Sequence, residues 1–145
     1  MTTENARQIL STLTDNITQK DLVVKSLEEF RQLIRQDISI ADPGLFSEIQ
    51  GIVERRLGYL NRNPERAMII EIFKIFVDKY GFEACKISKW LNSDEINLRI
   101  LGIEIIIAAS PRRQTEIVDE LVTIHMKRKS RDESYRLMAS ALEKI

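Results

Sequence analysis

Only one histidine and one cysteine occur in the 145 residues, so nucleophile and base chemistry of the usual kind must draw on His125 and Cys85. His125 falls at helical spacing from Val118, Leu121 and Val122, an apolar face. Met126, Lys127 and Lys129 after it supply no second metal ligand at i+3 or i+4. Cys85 lies between Phe82 and Trp90. Lys86 and Lys89 would lower its pKa if it were exposed, but without a nearby imidazole it reads as a packed small hydrophobe. No Gly-rich phosphate loop, Gly-x-Ser-x-Gly or Cys-x-x-Cys occurs. The acidic groups Glu116, Asp119, Glu120 and Glu28, Glu29 fall on solvent faces. The reading is therefore not an enzyme, with no cofactor and no metal.

The basic residues are the more informative set. Arg55, Arg56, Arg62, Lys86, Lys89, Lys127, Arg128, Lys129 and Arg131 all fall near the ends of predicted helices, where the helix dipole favours cations. Glu65, Asp94, Glu95, Asp132 and Glu133 open the helices that follow and offset much of that charge. A phosphate-binding edge made of Arg55, Arg56, Arg62, Lys127, Arg128, Lys129 and Arg131 is the alternative. Overall charge gives it no support, because 22 basic residues balance 22 acidic ones.

The elements that carry these residues are helices. Five glycines and three prolines are few, and each proline (Pro43, Pro64, Pro111) follows a residue able to cap a helix: Asp42, Asn63 and Ser110. Apolar periodicity predicts a short first helix through Ala6, Ile9, Leu10 and Leu13, with Thr14-Asp15-Asn16 available to cap the next. The second runs from about Thr18 to Gln36 on Val23, Leu27, Phe30 and Ile34. The third buries Leu45, Phe46, Ile49, Ile52, Val53, Leu57 and Leu60, and the fourth runs from Pro64 to Tyr80, ended by a left-handed Gly81. A short helix over 82–91 follows. From Asp94 to Ala109 two apolar stripes occur, Ile96, Ile100, Ile103, Ile107 and Leu98, Leu101, Ile105, Ala108, so this helix has neighbours on two sides. The seventh helix presents Ile117, Val118, Leu121, Val122 and Ile124, and the eighth Tyr135, Met138, Leu142 and Ile145.

Short turns make antiparallel neighbours of these helices. The expectation is a single all-α domain over 1–145, built from hairpins at about 4–36, 43–80, 82–109 and 112–144. The segment from Trp90 to Ile105 resembles the core of a HEAT repeat. Trp90-Leu91 closes one helix, Asn92-Ser93-Asp94 turns, and Leu98-Arg99 with Gly102 follows on the second; Tyr135-Arg136 with Ala139 repeats the pattern. Ser93 stands where the family has an aspartate, the residue that links neighbouring repeats through the arginine. The resemblance implies a right-handed α-solenoid of about eight helices, with an irregular helical bundle as the alternative.

In such a stack the second helix of each hairpin lines an inner surface. Glu71, Lys74 and Asp78, then Asn97, Leu101 and Glu104, then Ser134 and Met138 fall on it by helical phase, with Leu101 as an apolar anchor. The expected function is a protein–protein interaction module, an adaptor, scaffold or regulatory subunit, gripping another protein through this strip. Nucleic-acid binding is the second reading, and no membrane partner is expected. One cysteine and an N-terminus without a basic-then-apolar leader point to a cytoplasmic setting.

Overall fold

A computed structural model describes residues 3–128 and 131–145 of the chain. Among the described residues the fold is all-helical: α1 (Thr3–Asp15), α2 (Lys20–Gln36), a 3₁₀ turn (Ile38–Ile40), α3 (Pro43–Leu60), α4 (Glu65–Tyr80), α5 (Ile87–Leu91), α6 (Ile96–Ala108), α7 (Pro111–Lys127) and α8 (Glu133–Lys144). No helix among the described residues is long and apolar enough to cross a membrane. The chain divides into two compact units, 1–76 and 77–145, the division falling within α4.

In the first unit α1 packs on both α2 and α3. Its core is aromatic: Phe46 of α3 meets Phe73 and Phe76 of α4 with ring centroids 5.1 Å apart in each case, tilted and edge-on. Asp42 caps α3 as its sequence predicts, its Oδ1 accepting the Leu45 N–H at 2.8 Å, with Pro43 in the first turn. The other two proline starts are built differently. Asn63–Pro64 is a cis peptide and α4 begins at Glu65, while Ser110 makes no side-chain cap for α7. Nor does the 14–16 cluster cap α2. Thr14 Oγ1 and Asn16 Nδ2 instead donate back to the carbonyls of Leu10 and Thr12, and Gln19 takes the capping position.

The second unit is centred on α6, which packs against α5 and α8. Both predicted stripes are buried along their middle, with Ile103 at 0% exposure and Leu98 at 8%, while Ile96, Ile107 and Ala108 at the ends are half-buried. Gly102 explains how α5 comes so near: a Cβ there would stand 3.3 Å from Leu91 Cδ2 and 3.4 Å from Trp90 Cβ. Gly81 does adopt the left-handed conformation (φ 92°), its N–H bonding the Val77 carbonyl. The segment after it is a turn rather than helix as far as Lys86, which is itself left-handed (φ 54°); helix starts only at Ile87. On α7 the buried residues are Ile117, Leu121 and Ile124, whereas Val122, placed on the same face by sequence, is 39% exposed.

Helix ends in this unit are closed by side chains from elsewhere. Gln114 Nε2 donates to the carbonyls of Ile106 and Ile107 at 3.1 Å, ending α6. Arg113 donates to the carbonyls of Asp78 and Lys79, while Asp78 Oδ1 accepts the Ser110 N–H at 2.9 Å. Beyond α5, Arg99 and Arg128 converge on main-chain oxygens of Ser93 and Leu91. The carboxylate facing Arg99 comes from Asp132, the N-cap of α8, at 2.6 Å, and Ser134 Oγ accepts from Arg99 Nε at 3.1 Å. Ser93, standing in the aspartate's place, thus contributes a carbonyl, and the acid is supplied 33 residues after the arginine.

Candidate interaction surface

The residues assigned to the inner strip do not form one open surface. Leu101 is 1% exposed, and Ser134 and Met138 are each 3% exposed. All three belong to the core, because α6 is apolar almost all round and α8 lays Ser134 and Met138 against the rest of its unit. Leu101 is therefore no anchor for a partner. Ser134 serves Arg99 and Asp132 instead, accepting from the first and donating to the second.

The acidic members of the strip are engaged within the fold. Glu71 receives Arg31 at 2.6 Å and Arg35 at 3.1 Å, and Arg31 also reaches Glu28, so this acid fastens α2 to α4. Hydrogen bonds to Gln32 and Arg31 hold the Glu28 carboxyl below its ordinary value. Asp78 holds the start of α7, as described above. Lys74 and Glu104 are half-buried and have partners of their own. Asn97 is the exposed residue of the set.

The basic positions divide in the same way. Arg128 is spent on the Leu91 and Ser93 carbonyls, and Arg131 lies over the Tyr135 ring at 5.7 Å from its centroid. Arg55, Arg56, Arg62 and Lys127 are exposed; Lys129 lies outside the described residues. Arg55 and its neighbours belong to the first unit and Lys127 to the second. A cavity of about 820 Å³ beside the 81–86 turn is lined by Lys86, Lys89 and Arg113 but equally by Glu83, Glu116 and Glu120, with Arg113 and Glu116 paired at 3.0 Å. Its charge is mixed.

Of the groups capable of covalent chemistry, the thiol is enclosed and the imidazole is half-buried. Cys85 is 2% exposed and burial pushes its thiol up to about 12, outweighing the nearby Arg113 charge, so it stays protonated near neutrality. His125 stacks on Tyr135 at 4.2 Å with 24° between the planes. Among the described residues no group of three His, Cys, Asp or Glu side chains could hold a metal ion.

One exposed apolar pair was not assigned as a surface from sequence. Met126 is 78% exposed and Val122 39% exposed, one helical turn apart on α7 and opposite the packed face of Ile117, Leu121 and Ile124. Asp119 and Thr123 lie beside the pair, on one side of it. The signal existed: Val122 and Met126 lie four apart, at a phase well away from Leu121 and Ile124. Comparison with family models, with curated proteins and with solved structures finds no match for this chain.

Proposed function

We propose that the chain is a protein-binding module of HEAT-like helical pairs, acting in the cytoplasm and docking a partner on the outer face of α7. The observation that carries the docking face is the exposed Val122–Met126 pair. A methionine with three rotatable bonds adapts to the apolar face of a partner helix, and a polar margin of Asp119 and Thr123 suits such a contact. The repeat reading is supported by Arg99, which reaches from the pair α5–α6 to the Asp132 cap of α8, the kind of bridge that joins neighbouring repeats. Binding is favoured over catalysis because the thiol is buried and the imidazole is stacked on a ring.

The test is the double change Val122→Lys with Met126→Lys. Both side chains face solvent, so unfolding in urea should move by no more than about 0.5 kcal/mol. Capture of a partner from nuclease-treated host extract should be lost, while Glu95→Lys, at the N-cap of α6, should keep it. Capture retained by the double variant removes α7 from the proposal. Capture abolished by nuclease alone turns the reading to nucleic acid.

A further inference from the structure

Glu65 opens α4, yet it is only 4% exposed, and its Oε1 has no hydrogen-bond partner among the described residues. A buried carboxylate oxygen without a donor destabilises the fold, a cost that a bound donor would offset. Beside it lies a cavity of about 190 Å³, lined also by Thr18, Lys20, Gly58, Tyr59 and Arg62. All of these belong to the first unit.

The end of α3 is shaped around this space. Helical geometry breaks at Arg56 (φ −124°, ψ 27°), and the turn beyond it supplies Gly58 and the half-exposed Tyr59. Gly58 is a poor helix former, and its φ is not one that glycine alone adopts. A Cβ built there meets nothing within 4 Å, so packing does not require glycine either. Gly58 is exposed and leaves that side of the cavity open.

The charges select the ligand. Glu65 calls for an ammonium or similar donor, while Lys20 and Arg62 on the same cavity disfavour a cation that brings no negative charge. A zwitterion satisfies both signs. With about 30 Å³ for each water-sized group, the space accepts on the order of six heavy atoms. We propose that this cavity binds a small free α-amino acid such as alanine, its ammonium on Glu65 and its carboxylate toward Lys20 and Arg62.

The experiment is a titration of the full chain with L-alanine, followed by amide nitrogen–proton spectra, with ammonium chloride and sodium acetate as separate arms. Saturable shifts are expected at Gly58, Tyr59 and Glu65 with a Kd on the order of 1 mM or below, and neither salt should reproduce them. Glu65→Gln keeps the shape but removes the charge, and should weaken alanine binding by about tenfold or more. Gly58→Gln fills the space without touching the carboxylate and should also lose binding. Absence of saturable shifts with alanine, glycine or serine overturns the proposal, leaving Glu65 to Lys20 or Arg62. Unchanged alanine affinity in folded Glu65→Gln overturns it too. Should Glu65→Gln fail to fold, Gly58→Gln decides: retained binding refutes, lost binding supports.

Discussion

Replacing Arg99 by methionine is expected to lower stability by about 3 kcal/mol, read from the urea midpoint at neutral pH. The two side chains are similar in length, so the loss reports on polar contacts more than on volume. Arg99 is 6% exposed and satisfies the Ser93 carbonyl, the Ser134 hydroxyl and the Asp132 carboxylate at once. Removing the guanidinium takes one donor from each of the three in a partly dry place. The pH dependence should change with it. Ser134's hydroxyl, then the Tyr135 N–H and the Arg99 guanidinium, hold the Asp132 carboxyl below its ordinary value against the opposing effect of burial. A carboxyl depressed in the folded state contributes stability above its unfolded value of about 3.9, and that contribution fades as pH falls through the folded value. The parent chain should therefore weaken below about pH 4, and Arg99→Met should show a smaller acid-side loss. An unchanged midpoint at neutral pH would mean that the network adds nothing net.

Trp90→Ala should cost a comparable amount, about 3 to 5 kcal/mol, through volume alone. The indole is fully buried at the α5–α6 contact, where Gly102 brings the two helices together. A five-residue helix has little hydrogen bonding of its own to hold it there. Near-ultraviolet circular dichroism and thermal melting check this, and a melting temperature within a degree or two of the parent would show that the site collapses around the loss. Unlike Arg99→Met, this variant should leave the shape of the acid-side profile intact, because Asp132 keeps its partners.

Helix positions and the two-sided burial of α6 were legible because apolar spacing and proline placement are local signals. Asp42-Pro43 worked for that reason. The inner strip was not legible, since helical phase names a face but cannot say what meets it. Glu71 looks like a solvent acid until Arg31, 40 residues earlier, is found against it. Asp78 is likewise claimed by the Ser110 N–H, 32 residues later. Leu101 failed for the opposite reason: on a helix apolar nearly all round, phase has little left to discriminate. Val122 was drawn into the packed face by its apolar character alone. Burial of Glu65 was invisible because an acid at a helix start is what the dipole favours in any setting.

The bridge between Arg99 and Asp132 also orders events in time. It closes a span of 33 residues that contains the whole of α7, whereas α5 and α6 meet across a turn of four. Closing the longer span costs more chain entropy, so α5 and α6 can pair while the last helix is still undocked. The same asymmetry runs backward under native conditions. Amide exchange should release α8 through a smaller opening than α6, and equal protection of the two would contradict this order. The C-terminal helix is then the first part of the second unit to let go and the last to arrive.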